Sequence, residues 1–167
     1  MDLQIRQLLL SDEHLVSALG LDQGQEEFAG GPTTELFDRL RSSPHPSAAH
    51  PFIVINHAST IGFFVLREAP ALPAWAMPDV MTLHNFRIGA HFQRQGLGSA
   101  AVRKAAQWVG DNRPGISRLM LSVNTQNKPA DALYQSCGFS FTGASFEGRI
   151  GPERIMAGEI AAILVQC

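Results

Sequence analysis

The stretch Ile88-Gly89-Ala90-His91-Phe92-Gln93-Arg94-Gln95-Gly96-Leu97-Gly98-Ser99 follows a strand-like apolar run, Val80 to Ile88, and leads into a segment with apolar residues at 97, 101, 105, 108 and 109. The first pattern is that of a strand and the second that of a helix. Gly96 and Gly98 therefore stand at a helix entrance. Bare backbone there lets N–H groups approach an anion, and the positive end of the helix dipole adds to the attraction. A pyrophosphate suits such a cradle, with Arg94 and the Ser99 hydroxyl as further contacts. Taken alone, the pattern fits a plain helix start with two convenient glycines about as well.

Working outward toward the C-terminus, Pro114-Gly115 ends the helical segment, and Leu119, Leu121 and Val123 alternate as a second strand. Asn127 opens a short helix with Ala130, Leu133 and Tyr134 facing inward, and Gly138 supplies its stop. Two closing strands are expected near Phe139 to Gly143 and Glu153 to Ile160.

Toward the N-terminus, Leu3 and Ile5 begin a strand, Ser11-Asp12-Glu13 signals a helix start, and Thr34 opens a helix carrying Leu36, Phe37 and Leu40 on one face. Ser42 to Pro51 has loop composition. Phe52 to Ile55 and Ile61 to Leu66 form an antiparallel hairpin about Asn56-His57. Glu68 to Pro78, with three prolines and Trp75, is an irregular excursion expected to border a substrate site. The order predicts one mixed α+β domain over 1–167, its central pair of strands joined by a right-handed crossover helix.

Composition narrows the function. The chain has 167 residues, 45% hydrophobic and 17% charged, enough for an unaided core. A net charge of -2 with scattered basic residues argues against nucleic acid as a partner. No run approaches the roughly 18 apolar residues of a membrane span, and the first residues lack a leader pattern. Cys137 and Cys167 show no pairing pattern, so both are expected as free thiols, Cys137 in the core, and a cytoplasmic location follows. His14, His45, His50, His57 and His91 share no spacing that would build a metal site.

Gly96-Leu97-Gly98-Ser99-Ala100-Ala101 also satisfies the dinucleotide fingerprint G-x-G-x-x-A. Its context argues otherwise: the unit comes late in the chain, a spacer separates Ile88 from Arg94, and Asp111 lies before Pro114 rather than at a strand end. No Gly-Lys-Ser/Thr follows to make a P-loop.

The combination Gln93-x-x-Gly96-x-Gly98, Val123, and Asn127-x-x-Ala130-x-x-Leu133-Tyr134-x-x-x-Gly138-Phe139 resembles the signature of the GNAT N-acetyltransferase superfamily, over nearly the whole chain. Leu83-x-x-Phe86-x-Ile88, Phe92-Gln93, Phe139-x-x-x-Gly143 and Glu153-x-Ile155-Met156 look most like bacterial diamine and polyamine (spermidine/spermine) acetyltransferases. The resemblance implies a mostly antiparallel twisted sheet whose central parallel pair splays around acetyl-CoA, with flanking helices. It further implies that Phe86, Arg87 and Ile88 present strand backbone to the pantetheine arm. Arg94, Gln95, Gly96, Leu97, Gly98 and Ser99 would hold the pyrophosphate, Asn127 would bond the pantetheine, and Tyr134 would protonate the leaving thiolate. A phenol of pKa ~10 donates readily to a thiolate whose conjugate acid lies at roughly 8.5.

The acceptor amine must lose a proton, since at pH 7 only about one alkyl amine in a few thousand is neutral. Families of this type often place a glutamate on the fourth strand, but Val80 to Ile88 has none. His84 is the first candidate for the base, with Asp79, Glu26 and Glu27 as alternatives. Asp22, Glu26, Glu27, Glu35 and Asp79 are candidates for drawing in a cationic acceptor, and Leu21-x-x-x-Gln25-x-x-Phe28 has a counterpart in the resembled polyamine enzymes. The expected activity is acetyl transfer to a primary amine, a diamine or polyamine among the options, by direct attack and without metal. The missing glutamate keeps a non-catalytic acetyl-CoA-binding regulatory module as the alternative. The apolar tail Ile160 to Val165 and the Trp75 excursion offer surfaces for a homodimer.

Overall fold

The computed structural model describes residues 2–167. Strand β1 (Leu3–Gln7) leads into the short helices α1 (Glu13–Ser17) and α2 (Gln23–Phe28), then α3 (Thr33–Arg41). Strands β2 (Ala49–Asn56), β3 (Ser59–Arg67) and β4 (Met81–Ile88) follow. Helix α4 (Leu97–Asn112) connects β4 to β5 (Arg118–Asn124), and α5 (Lys128–Ser136), β6 (Ser140–Gly148), β7 (Gly151–Glu159) and α6 (Ile160–Gln166) complete the chain. The strands form one sheet in the order β1-β2-β3-β4-β5-β7-β6, antiparallel except for β4 beside β5. This is the expected mixed sheet with a central parallel pair.

Alternation along β2 shows how the sheet divides its core. Phe52 and Val54 join a cluster with Ala101, Val102, Ala105 and Val109 of α4, while Ile53 joins Leu36, Phe37 and Leu40 of α3 with Phe63 and Val65 of β3. Residues two apart share a face, so α4 covers one side and α1 with α3 the other. The 68–80 excursion packs Leu72 and Trp75 against Val80, Met120 and Ile155, beside the centre of the sheet.

Three expectations are corrected. First, β2 begins at Ala49 and contains Pro51, although Ser42 to Pro51 reads as loop. The Pro51 carbonyl accepts from Leu8 N, just beyond the last β1–β2 pair, so the missing N–H lies on the side where β1 has already ended. Second, the apolar tail is helix α6, with Ile160 and Ile163 buried against α4, while Ala161 and Val165 remain exposed. The tail therefore contributes much of its apolar surface to the core. Third, Cys137 and Cys167 form a disulfide. Their separation of 30 residues conceals that α6 returns past α4 to the end of α5, where the two Cα atoms stand 4.4 Å apart. The argument from free thiols to a reducing compartment loses its premise.

Closing a loop of that length stabilises the chain by about 3.6 kcal/mol through the unfolded state. Cys167→Ser is thus expected to lower the urea midpoint clearly while leaving the circular dichroism spectrum unchanged. An unaltered midpoint would show that the bond carries no net stability.

Candidate functional site

Two features of β4 open the sheet at its centre. Val65 pairs with His84 and Phe63 with Arg87, so β4 advances three residues where β3 advances two. The extra residue is a bulge around Asn85, whose φ of 56 lies in the left-handed region. Already before the bulge β4 leaves β5: their parallel pairing is limited to Met81 with Leu119 and Thr82 with Met120. The strands then diverge, and a cleft of about 600 Å³ lies between them.

One end of the cleft is the entrance to α4. Gly96 has φ 75, and an added Cβ there would meet nothing within 4 Å, so the first turn faces open space. Arg94, Gly96, Gly98 and Ser99 all line the cleft. Leu97 and Gln95 do not: Leu97 is buried in the core, and the Gln95 amide donates to the His91 carbonyl. Gln93 donates to the Ile88 carbonyl and exchanges hydrogen bonds with Gln25, fastening the loop to α2.

Along the middle run Phe86, Arg87, Ile88, Asn127 and Tyr134. Asn127 caps α5 by accepting from Ala130 N. Tyr134 is 7% exposed, packed edge-on against Phe86 and Phe139. Burial raises its pKa, so the phenol holds its proton throughout the neutral range. Arg87 shows its side chain in a role not foreseen: it donates to the carbonyls of Ala29 and Gly31. Burial lowers its pKa to about 10, still well above neutrality.

The other end gathers His84, Ser122, Glu153, Glu27, Phe28, Arg149 and Ile150. Glu153 on β7 accepts from the Ser122 hydroxyl at 2.9 Å. Arg149 in the β6–β7 turn pairs with the Glu27 carboxylate at 2.9 Å and bonds the Glu27 carbonyl, joining two rims of the cleft. Trp75 lies beside His84 and stacks on Phe146, although no residue of the excursion itself lines the cleft. Of the carboxylates singled out from sequence, Glu27 alone lines the cleft; Asp22 caps α2, and Glu35 and Asp79 are exposed. Glu153 and Ser122, which no spacing marks as a pair, were missed as site residues.

His84 is on the cleft wall, with Nε2 2.6 Å from Thr82 Oγ1. Burial, and secondarily the charge of Arg67, push its pKa down to about 3. The ring is therefore neutral at pH 7, and the structure weakens its candidacy as a base: an imidazole that resists protonation this strongly accepts a proton poorly. In the unfolded chain the same ring titrates near 6.5. Below that pH the unfolded state takes up a proton that the native state refuses, so a stability penalty is absent above about 6.5 and grows as pH falls toward 3. His84→Gln should therefore lose less stability than the wild type between pH 6.5 and 4, as read by denaturant midpoints. Parallel curves would contradict this account.

Among the described residues there is no group of three or more His, Cys, Asp or Glu that could hold a metal, and no helix long and apolar enough to cross a membrane.

Comparison with known proteins gives a consistent picture. The model of the acetyltransferase (GNAT) family matches residues 14–139. Human N-acetyltransferase 8 is 38% identical over 66 residues, 40% of this chain and 28% of that protein. The [ribosomal protein bS18]-alanine N-acetyltransferase of Escherichia coli (strain K12) is 33% identical over 81 residues, 46% of this chain and 53% of that one. The chain spans about half the length, or less, of these curated relatives. An aminoglycoside acetyltransferase solved with coenzyme A superposes with a TM-score of 0.77 at 17% identity, covering 96% of both chains. Spermidine N-acetyltransferase from Vibrio cholerae, in complex with CoA and spermine, gives 0.74 at 20% identity over 97% of this chain and 98% of that one. Identities this low establish likeness of fold alone.

Proposed function

Since the chain belongs to the acetyltransferase (GNAT) family, we propose that it transfers the acetyl group of acetyl-CoA to a primary amine by direct attack within the cleft between β4 and β5. The observation that carries this reading is the divergence of the two strands after two backbone pairs, directly beside an open helix entrance. A long, thin ligand with a pyrophosphate at one end fits that combination, and the residues present fit coenzyme A. In this reading Arg94, Gly96, Gly98 and Ser99 take the pyrophosphate. Asn127 and the bulged backbone of β4 hold the pantetheine, and Tyr134 protonates the departing sulfur.

The amine enters from the opposite end. Glu153, with Glu27 nearby, attracts it in its ammonium form, while Phe28 and Ile150 supply apolar wall. Glu153 replaces His84 as the proposed proton acceptor, because a neutral ring resistant to protonation serves worse than a carboxylate fixed by Ser122. The ammonium ion first gives one proton to solvent through Glu153, so that the neutral amine can attack. The nitrogen then turns strongly acidic as it bonds the carbonyl carbon, a carboxylate is adequate to take this second proton, and solvent restores the proton that Tyr134 gives to the sulfur. Holding the two reactants together in one cleft is the main contribution to rate.

The test is release of coenzyme A thiol from acetyl-CoA across an amine panel that includes spermidine, simple diamines, an aminoglycoside and a peptide N-terminus. Release with at least one amine is expected. Stabilisation by coenzyme A with no release from any amine would replace this reading by that of an acetyl-CoA sensor.

A further inference from the structure

A second cavity, of about 450 Å³, lies away from the cleft, walled by the end of α3, the loop after it and the start of the 68–80 excursion. Its polar lining comprises Arg39, Ser42, Ser43, His45 and Arg67, and none of its lining residues is acidic. Arg67 shares a buried, unpartnered Nε with Arg87, but Arg87 donates to two carbonyls through Nη2 and Arg67 does not. Arg41, Arg113, Arg118, Arg149 and Arg154 all meet a carboxylate. Arg67 meets none among the described residues, and its Nε is buried without any hydrogen-bond partner. Burial, and secondarily the charge of Arg39, lower the Arg67 pKa, and Arg39 is itself anchored by donating to the Gly30 carbonyl at 2.6 Å. Two like charges line one acid-free hollow, and the half-buried Arg67 keeps an orphaned donor there, which an anion from outside the chain would satisfy.

We propose that this cavity binds a small oxyanion, a phosphate or a carboxylate, through the guanidinium groups of Arg67 and Arg39, with the hydroxyls of Ser42 and Ser43 at its rim. Planar donor forks suit both anions, and such charge-assisted bonds are the stronger kind. The site also has a route to the cleft. Arg67 is paired in register with Thr82, whose Oγ1 holds His84 Nε2. An anion on Arg67 would offset the positive field felt by the His84 ring, one strand from the acceptor end.

The test uses the full chain labelled with ¹⁵N-arginine. Phosphate and acetate are titrated separately at fixed ionic strength against chloride, and the Arg67 Nε–H resonance, identified by its loss in Arg67→Lys, is followed. A saturable shift with one or both anions is expected, the tighter of the two identifying the anion class. Arg39→Gln should weaken binding roughly tenfold or more, and Arg94→Ala, which alters only the cleft, should leave the Arg67 titration unchanged. A shift that never saturates, or one indifferent to Arg39→Gln, overturns the proposal. Calorimetry of the wild type and Arg67→Met with the same anions gives a second reading: equal heats in the two proteins would also overturn it.

Discussion

Tyr134→Phe is expected to lower kcat by roughly 10²- to 10⁴-fold, the usual contribution of a positioned general acid. It should leave the dissociation constant for coenzyme A within about twofold, because no binding charge is removed. The substitution isolates chemistry from folding. The ring packs against Phe86 and Phe139, and its hydroxyl makes no hydrogen bond within the chain among the described residues. Phenylalanine therefore keeps the packing and orphans nothing. Placement supports the role: Tyr134 lies seven residues beyond Asn127, about two helical turns, so one short helix would present both the proposed coenzyme contact and the proposed proton donor to the cleft. Stopped-flow or steady-state thiol release would measure the loss. An unchanged kcat would remove Tyr134 from the chemistry.

Glu153→Gln is the second large effect expected, a fall in kcat/KM for the amine of about 10²-fold, with KM for acetyl-CoA nearly constant. Glutamine can still accept from the Ser122 hydroxyl, so the local geometry survives while charge and proton affinity are lost. If Glu153 only attracted the ammonium ion, the loss would sit in KM for the amine; if it takes the proton, kcat falls as well. Ser122→Ala, which frees the carboxylate without discharging it, should cost far less. Equal kcat/KM for Glu153→Gln and wild type would falsify the assignment and return the question to Glu27 or water.

Much of this site was legible before any coordinates. The glycines at the helix entrance, Asn127 and Tyr134 form local patterns, in which spacing along one element fixes spacing in the cleft. The same holds for the strands, whose apolar alternation survives in Leu119, Leu121 and Val123. Elements set by distant partners were not legible. Glu153 meets Ser122 across a sheet pairing of strands 31 residues apart, and Glu153 reads only as part of a closing strand. The bulge at Asn85 depends on β3 advancing fewer steps than β4, a relation between two strands. Ile160 and Ile163 fit a strand's end as readily as a helical turn until α4 offers them a surface. The weakened candidacy of His84 as a base is also collective: its type suits proton transfer at pH 7, and burial beside Arg67 pushes its pKa down.

The divergence of β4 from β5 has a mechanical consequence. Four strands lie on one side of it and three on the other, tied at the seam by two backbone pairs. The seven-stranded sheet behaves there as two leaves on a spine, with α4 spanning from one leaf to the other. A ligand lying in the gap with its own amides against β4 would stand in for the rungs the leaves lack. Binding and sheet cohesion would then be one event, and the empty protein would be at its loosest where the reaction takes place.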